Sequence, residues 1–394
     1  MSPTPLYAFG SNGSGQLGIG HVDDTPTPTP CVFDDDDKGS ESESEPRSSS
    51  SGDEPVRIVA GGNHTLVLFR SGAVYATGSN AHGRCGRDPA SEPSLVGFRR
   101  VGFVEEEEEE GGGDGNGGRK GRIDRFSDVS ATWEASFVVA RGTGHVYAFG
   151  MGMKGELGLG AGCPQAMSPT RIKGFPPSGT SVVSISSSMG HTAVVLSNGE
   201  VYGWGGARKG QLGRHGVENK LFWSPHKVAD IPFPAERISC GREFTVIAGS
   251  REDGKFVILG SDKWKVISTA PEDLKGYSTV ATSWHGVYVQ FRDGSLKAWG
   301  RDDRGQLPPS DISKPVKLAV GSEHALALLE DGRIAAFGWG EHGNCGPDTD
   351  AQGDVKQRWS EIQTSVEQGY RIGGIAIGAG CATSWIVISA QPGS

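Results

Sequence analysis

The sequence predicts an all-β fold, a seven-bladed β-propeller with one blade closed by N- and C-terminal strands, on three observations. A short hydrophobic segment that ends in glycine recurs seven times. Short β-branched and aromatic runs, separated by Gly, Asn-Gly or Asp-Gly, precede the copies, as expected for strands and hairpin turns. The repeats are about 40 to 50 residues long, which is typical of propeller blades.

The recurring segment is the first element to justify. Its seven copies are LYAFG at Gly10, VYATG at Gly78, VYAFG at Gly150, VYGWG at Gly205, FVILG at Gly260, LKAWG at Gly300 and IAAFG at Gly338. Five copies are followed by a G-Q-L-G-like tail, a sixth by the degraded GQLP, and the copy at Gly260 by GSDKWKVIS, which lacks the tail. Because a repeated position serves the repeat, we expect Trp204 and Trp299, which occupy the aromatic position, to lie in the core.

The segment VRIVAGGNHTLVLFRSGAVYATG shows the rest of one repeat and is typical of strand, turn, strand, turn and strand. Glycine is abundant, at 62 of 394 residues. Tight turns that need a positive φ explain this excess. We find no long helical period of 3.6 residues in the sequence.

The two ends of the chain carry complementary halves of one repeat. LYAFGSNGSGQLG stands near the start, and IGGIAIGAGCATSWIVIS near the end is the missing front half. Pairing them would close the ring and remove exposed sheet edges. We therefore expect residues 1–394 to form one propeller, interrupted by disordered acidic inserts at residues 21–55 and 104–121. The inserts fit a solvating role, or an autoinhibitory or phosphorylated loop.

A possible nucleotide site is the next feature to test. Gly13, Gly15 and Gly18 match G-x-G-x-x-G, which in a dinucleotide site must open a helix. The following HVDDTPTPTP is too rich in proline for a helix. Similar matches at Gly150 and Gly338 sit three residues earlier relative to the shared Phe-Gly. We therefore expect no cofactor.

The formal net charge of −9 is spread unevenly along the chain. Residues 23–54 carry eleven acidic and two basic residues, and residues 105–118 carry seven acidic residues and no basic one. The rest of the chain therefore carries +7, which favours an acidic partner. The densest cationic cluster, from Arg119 to Arg125, is too short to predict direct nucleic-acid binding.

Cysteine usage and hydropathy indicate a reducing compartment. The six cysteines are far apart and form no C-x-x-C pair, so we expect neither a zinc ribbon nor another metal site. No signal peptide or membrane-spanning run is found in the sequence. We expect a cytoplasmic protein that is also found in the nucleus.

The G-x-x-H turns hold the candidate binding residues. His64, His191, His285 and His324 are interpreted as one repeat position, with each histidine hydrogen-bonding the turn within its own blade. The partner-binding candidates in these turns are Asn63, His64, Trp133, Glu134, Arg242, Glu243, Trp284, His285, Glu323 and His324. Trp133 and Trp284 replace small or polar residues, and they would act either as buried plugs or as binding anchors. No catalytic set of residues stands out, so we expect no enzyme activity.

These motifs resemble the regulator-of-chromosome-condensation family of seven-bladed propellers. The resemblance rests on GGNHT from Gly61 to Thr65, on MGHTAVVLSNGEVYGWG and on YAFGSNGSGQLG. Within the family, the short chain and its LYAFGSN start are similar to the fungal alpha-tubulin suppressors, also known for killer-toxin insensitivity. The resemblance implies a heterodimer with a small acidic zinc-binding protein of the CSL type. It also implies roles in diphthamide synthesis and in the Elongator pathway of tRNA wobble-uridine modification.

Three functions follow as hypotheses. The first is a non-enzymatic scaffold that binds the acidic zinc protein through a basic, tryptophan-bearing face. The second is a guanine-nucleotide exchange factor for a Ran-like GTPase, because the founding family member meets Ran on its turn face. The third is an enzyme that acts in the central channel of a propeller, although no converging titratable groups are evident in the sequence.

Overall fold

The computed structural model describes residues 6–34, 53–106, 120–229, 231–364 and 371–391. Within these residues the strands form seven sheets that succeed one another as propeller blades, together with a two-stranded hairpin. The predicted all-β seven-bladed propeller is confirmed. The described helical elements are short: α1 (Arg214–Asn219) and the 3-10 turns Ala81–Gly83 and Lys263–Lys265.

The strands follow the chain order. β1 (Leu6–Gly10), β2 (Thr25–Pro30) and β3 (Phe33–Asp34) come first. Blade 1 comprises β4 (Pro55–Ala60), β5 (His64–Phe69), β6 (Val74–Ser79) and β7 (Ser94–Arg100), and β3 pairs in parallel with β7 at its outer edge. The hairpin of β8 (Phe103–Glu106) and β9 (Lys120–Ile123) follows. Blade 2 comprises β10 (Phe126–Ala131), β11 (Ala135–Ala140), β12 (Val146–Met151) and β13 (Gln165–Arg171).

Blades 3 to 6 differ in size, because blades 4 and 5 have three described strands and blades 3 and 6 have four. Blade 3 comprises β14 (Val182–Ser188), β15 (His191–Leu196), β16 (Val201–Gly206) and β17 (Leu221–Lys227). Blade 4 comprises β18 (Arg237–Cys240), β19 (Phe244–Ala248) and β20 (Phe256–Gly260), and blade 5 comprises β21 (Tyr277–Thr282), β22 (Gly286–Phe291) and β23 (Leu296–Gly300). Blade 6 comprises β24 (Pro315–Val320), β25 (His324–Leu329), β26 (Ile334–Trp339) and β27 (Asp354–Glu361).

Blade 7 is built from both ends of the chain. Its sheet order is β2, β1, β29 (Thr383–Gln391) and β28 (Arg371–Ala379). Leu6 of β1 pairs with Val387 of β29. This closure of one blade by N- and C-terminal strands was predicted, and it removes the sheet edges that an open array would expose.

The second strand of each blade is the most buried. Every residue of β5, β11, β15 and β25 is buried, because this strand is covered by both neighbouring blades. The aromatic position of the repeat also lies in the core, as predicted: Trp204 is fully buried and Trp299 nearly so. Cys85 and Cys345 fill equivalent core positions, and none of the six cysteines forms a disulfide.

The structure describes strands inside both of the predicted acidic inserts. Thr25–Pro30 lies inside the insert expected at residues 21–55, yet it forms β2, the outer strand of blade 7. Its prolines are compatible with an edge strand, where one side of the backbone needs no hydrogen-bond partner. In the second insert, Phe103–Glu106 pairs with Lys120–Ile123. The centres of both inserts, residues 35–52 and 107–119, lie outside the described residues.

The tails after the third strands pack onto the next blade. A Cβ on Gly83 would lie 1.9 Å from the carbonyl oxygen of Met167 in the fourth strand of blade 2, and one on Gly155 would lie 2.5 Å from that of Phe222. Both glycines also have a positive φ. The tail position therefore needs glycine wherever the next blade has a fourth strand.

The segment after Gly260 keeps the tail conformation although its sequence has diverged. Asp262 Oδ1 accepts the amide of Ile267, as Asn80 Oδ1 accepts that of Cys85 in the first tail. Lys265 replaces the glycine and has a φ of 60°. Because blade 5 has no fourth strand among the described residues, the Lys265 side chain meets no obstructing backbone.

Candidate functional site

The turns between the first and second strands of the blades define one end of the channel, which we call the turn face. Backbone bonds join these turns from blade to blade. Gly62 N donates to Trp133 O (2.9 Å), and Trp133 N to Met189 O (3.2 Å). Arg242 N donates to Trp284 O (3.0 Å), and Trp284 N to Ser322 O (2.9 Å). The turn face is therefore a rigid platform, which lowers the entropy cost of binding.

Trp133 and Trp284 meet across the channel although they belong to blades 2 and 5. Their ring centroids are 6.0 Å apart with an interplanar angle of 45°. The Arg242 guanidinium lies 5.3 Å from the Trp284 ring centroid, in a cation–π contact. Trp133 keeps 36% of its surface exposed. The pair covers the channel mouth and at the same time presents aromatic surface to solvent.

Gly62 makes room for this arrangement. A Cβ at Gly62 would lie 2.6 Å from Cε2 of the Trp133 ring, so the ring lies flat against the glycine backbone. A side chain at this turn position in blade 1 would push Trp133 away from Trp284. The sequence pattern alone does not reveal this dependence, because it joins two different blades.

A polar chamber of about 200 Å³ lies below the tryptophan pair. Hydroxyl groups line it, and Ser130 donates to Ser187 at 2.8 Å. Deeper in the channel Arg57 bonds Asp128 (2.6 Å) and the carbonyl of Ile185 (2.7 Å), which joins blades 1, 2 and 3. Burial raises the pKa of the Asp128 carboxyl, against the effect of the Arg57 charge. These groups stabilise the ring from inside.

The buried histidines of the turns form hydrogen bonds to the next blade. The prediction that each would bond the turn within its own blade was wrong. His64 Nε2 lies 2.9 Å from Ser136 Oγ of blade 2, and His191 Nε2 lies 2.9 Å from Thr245 Oγ1 of blade 4. Ser136 Oγ donates its own proton to the Arg84 carbonyl (2.6 Å), so His64 Nε2–H is the donor in the pair. The predicted structural role therefore applies between blades.

Burial keeps these imidazoles neutral. It lowers the pKa of His64 to about 3, with help from the Arg84 charge, and that of His191 to about 4. His324 bonds Ser384 of blade 7 at 2.9 Å, and burial lowers its pKa to about 4. All three histidines are uncharged at neutral pH.

His285 does not share their position, which corrects the predicted alignment. His64, His191 and His324 each pair with the third-strand glycine of their blade, whereas in blade 5 that partner is Gly286. His285 stands one residue earlier, and its Nδ1 donates to Glu323 Oε1 at 3.0 Å. The mismatch arises because the sequence WHG resembles GHT but is shifted by one residue.

Glu323 is the centre of a buried network between blades 5 and 6. Arg301 donates to Glu323 Oε1 (3.0 Å) and Gln306 to Oε2 (2.8 Å). Burial favours the neutral acid, but the hydrogen bonds from His285 and Gln306 and the Arg301 charge lower the pKa of Glu323 below its ordinary value. We call the contact between two adjacent blades a seam. The Glu323 network stabilises the seam between blades 5 and 6, where no histidine–hydroxyl bond is present among the described residues.

The structure therefore divides the ten candidate binding residues into two groups. Six lie at least partly exposed on the turn face: Asn63, Trp133, Glu134, Arg242, Glu243 and Trp284. The other four, His64, His285, Glu323 and His324, are buried and hydrogen-bonded to other blades. These four cannot contact a partner directly, and they support the turns instead.

A second set of aromatic and cationic residues lies on the turn face, farther from the channel, and the sequence analysis did not select it as a candidate site. Trp264 is exposed, with the Arg301 guanidinium 5.1 Å from its ring centroid. Arg304 lies 6.0 Å from the Trp339 ring centroid. These residues follow the third-strand glycine, which ends at the same face as the turns. That position in the repeat was the available signal.

No group of three or more potential metal ligands is found in the part of the chain that the structure describes. No helix among the described residues is both long and apolar enough to cross a membrane. The turn face is thus characterised by aromatic and cationic side chains on a fixed backbone.

This architecture agrees with what is known of similar proteins. Residues 5–386 match the RCC1-like domain family, and the chain belongs to that family. An RCC1 repeat-containing protein of Schizosaccharomyces pombe is 28% identical over 394 residues, which cover 97% of this chain and 98% of that protein. The secretion-regulating guanine nucleotide exchange factor of Bos taurus is 24% identical, over 88% of this chain and 76% of its own length.

A solved structure shows the same fold. Prp20p from Saccharomyces cerevisiae matches with a TM-score of 0.75 at 18% identity, over 100% of this chain and 93% of that one. At this identity the likeness concerns the fold alone.

Proposed function

We propose that the protein is a non-enzymatic scaffold whose turn face binds a small acidic zinc protein of the CSL type. The observation that carries the proposal is the exposed Trp133–Trp284 pair with Arg242 on a preorganised backbone. Tryptophan and arginine dominate the residues on which protein interfaces depend most. The pathways, diphthamide synthesis and Elongator-dependent modification of tRNA wobble uridines, are supported by the family resemblance.

The charge of the turn face supports an acidic partner. Exposed cations in its turns and tails form no salt bridge with a described carboxylate, and they include Lys154, Arg208, Lys209, Arg242, Lys263 and Lys265. Unpaired cations on a rigid face accelerate encounter with an acidic protein, and the effect weakens as salt screens it.

Calorimetric titration with the purified zinc protein tests the proposal. Trp133→Ala and Trp284→Ala should each weaken binding by about tenfold or more, because anchor residues contribute roughly 2 kcal/mol each. Trp359→Ala is the matched control. Trp359 has an Arg333 guanidinium 5.1 Å from its ring centroid, but Arg333 lies in a hairpin at the opposite face. Equal losses in all three variants, or none in any, would contradict a turn-face interface.

The electrostatic part has a separate measurement. Arg242→Glu and Arg208→Glu should slow association at low ionic strength and lose most of this effect at high ionic strength. Stopped-flow association rates at several salt concentrations show the difference. An association rate unchanged by both substitutions would remove the role of charge.

A second candidate is a guanine-nucleotide exchange factor for a Ran-like GTPase. The similarity to a secretion-regulating guanine nucleotide exchange factor favours it. The test is the release rate of a fluorescent nucleotide from a Ran-type GTPase with and without this protein. Acceleration that Trp133→Ala abolishes would support exchange at the turn face, and an unchanged release rate would exclude this candidate.

A further inference from the structure

The outer edge of blade 4 is an unoccupied sheet edge in the described structure. Residues 151–181 separate Gly150 from the next blade, which is enough for a tail and a fourth strand. Only residues 261–276 separate Gly260 from β21. No described strand pairs with the outer side of β20, and all its residues are half-buried, whereas β12 at the same position of blade 2 is buried over Val146–Gly150.

The backbone groups at this edge point outward in a regular pattern. Gly249 N donates to Lys255 O, and Ser261 N donates to Glu243 O, so residues 255, 257, 259 and 261 face β19. The amides and carbonyls of Phe256 and Ile258 therefore face away from the sheet. In blade 1 the equivalent Ala76 pairs with Arg99 of the fourth strand.

Gly210 in the tail of blade 3 borders the same vacant position. In complete blades the equivalent glycine lies against the fourth strand of the next blade, and a Cβ on Gly15 would lie 2.6 Å from the Leu95 carbonyl oxygen. A Cβ on Gly210 would meet nothing closer than Val217 Cγ2 at 3.4 Å. Because Lys265 accepts a φ of 60° in the equivalent tail, conformation alone does not require glycine at Gly210. Blade 4 thus keeps the space that a strand needs, and blade 5 does not.

The charges around this edge favour an acidic occupant. The exposed cations next to it are Arg208, Lys209, Arg214, Lys255 and Lys263, and none has a salt bridge to a described acid. The unpaired acids near it are fewer: Glu218 in α1, Asp253 in the turn before β20, and Asp262, whose carboxylate accepts the amides of Ile267 and Ser268. Glu252 of the same turn is paired with Arg292. A second copy that paired edge to edge through its own β20 would bring like charges together, which disfavours that arrangement.

We propose that an extended acidic segment of the partner pairs with β20 and becomes the fourth strand of blade 4. Main-chain hydrogen bonds to Phe256 and Ile258 would supply affinity, and the surrounding cations would select an acidic sequence. This inference rests on the proposed acidic zinc protein as the partner. It adds a second contact region to the turn face, on the outside of the ring.

The first test is Gly210→Lys with the zinc protein as the probe. The substitution adds positive charge, so electrostatics alone would strengthen binding, but its side chain occupies the space of the added strand. We expect binding to weaken by about tenfold, or roughly 1.4 kcal/mol. Gly332→Lys is the control: it adds the same charge at a positive φ in the β25–β26 turn, at the face opposite the turn face, where a Cβ would meet nothing within 4 Å. It should leave the affinity within about twofold.

The second test removes a single outward donor. Ile258→Pro deletes an amide that faces away from β19, so the three-stranded sheet keeps its ladder. Ala298→Pro is the same change at the equivalent outward position of blade 5. We expect loss of binding in the first variant and not in the second. Should Ile258→Pro fail to fold, Gly210→Lys and the following exchange measurement decide the matter.

Hydrogen exchange on the unmodified protein gives an independent result. The amides of Phe256 and Ile258 should become protected when the zinc protein binds, while those of Leu296 and Ala298 in blade 5 stay unchanged. Binding with unaltered exchange in β20 and full affinity of Gly210→Lys would overturn the added strand but leave the scaffold proposal intact. Absence of binding by the unmodified protein would overturn both proposals.

Discussion

Blades 4 and 5 differ from the five complete blades at the outer edge of the sheet. Both lack a fourth strand among the described residues. The tail that faces blade 5 has Lys265 where the tail facing blade 2 has Gly83. The turn position of His64 varies independently of blade size: it holds Phe244 in blade 4, Gly286 in blade 5 and Ala135 in the complete blade 2.

The residues that face these positions across the contact with the next blade are matched to them, but not by blade size, because His191 bonds Thr245 of the three-stranded blade 4. His64 faces the hydroxyl of Ser136, but Phe244 packs in one apolar cluster with Val287. A buried donor needs an acceptor, whereas two apolar groups need none. The comparison teaches that contacts between adjacent blades depend on matched pairs of residues, and that a fourth strand requires a glycine in the tail that faces it.

Acidification should lower the free energy of unfolding more than any other change considered, because it destabilises the three contacts between blades that a buried histidine makes. The pKa values of His64, His191 and His324 are about 3 or 4 in the folded protein against 6.5 for an unperturbed imidazole. The unfolded chain therefore binds more protons below pH 6.5, and the free energy of unfolding falls as the pH drops from 6.5 towards about 4. Three such groups give a slope of up to about 4 kcal/mol per pH unit.

Urea unfolding at several pH values in this range measures the slope. A variant with His64→Gln, His191→Gln and His324→Gln is the control, because it keeps a donor at each seam but cannot titrate there. Its stability should depend much less on pH. Equal slopes for both proteins would show that other groups cause the acid sensitivity.

The next largest effect on stability is expected from substitution of the tail glycines, and it should differ between Gly83 and Gly210. Gly83→Ala should lower the free energy of unfolding by about 3 kcal/mol or more, because backbone must move to make room for the new Cβ. The Cβ would otherwise stand 1.9 Å from Met167 O. Gly210→Ala, with open space beside it, should cost only about 1–2 kcal/mol for its positive φ. Denaturant midpoints of the two variants compare them directly, and equal losses would contradict the role of the fourth strand.

A double-mutant cycle can convert the polar contact between His64 and Ser136 into an apolar one. Ser136→Val leaves the His64 Nε2–H buried without an acceptor and should cost about 1–3 kcal/mol. His64→Leu removes that donor, so the double variant should be more stable than the sum of the single effects by about 1 kcal/mol. Chemical denaturation of all four proteins measures this coupling. Strict additivity would mean that the pair is not a unit.

The smallest expected effect is at the divergent tail. Lys265→Gly should stabilise the protein by about 0.5–1 kcal/mol, since relief of the left-handed conformation is partly offset by a more flexible unfolded chain. Thermal unfolding detects such a shift. Destabilisation would show that the Lys265 side chain makes a contact of its own.

Much of the fold was predictable from local sequence, and the contacts between blades were not. The repeats place every third-strand glycine and the aromatic core position, because hairpin turns and strand alternation are local signals. The absence of a fourth strand from blade 4 was also predictable, because the sixteen residues after Gly260 are too few for both a tail and a strand. The meeting of Trp133 with Trp284, and the offset of His285, depend on the angles between blades, which no local pattern encodes.

Blade 7 has a consequence for the order in which the molecule assembles. β1 leaves the ribosome before the six other blades, and its partner β29 leaves after them. Until β29 emerges, the nascent propeller is an open arc with an unpaired strand at the edge of the ring. Native contacts between residues so distant in sequence slow folding, and exposed edges during that interval favour aggregation. We therefore expect chaperones to matter most in the interval before blade 7 closes.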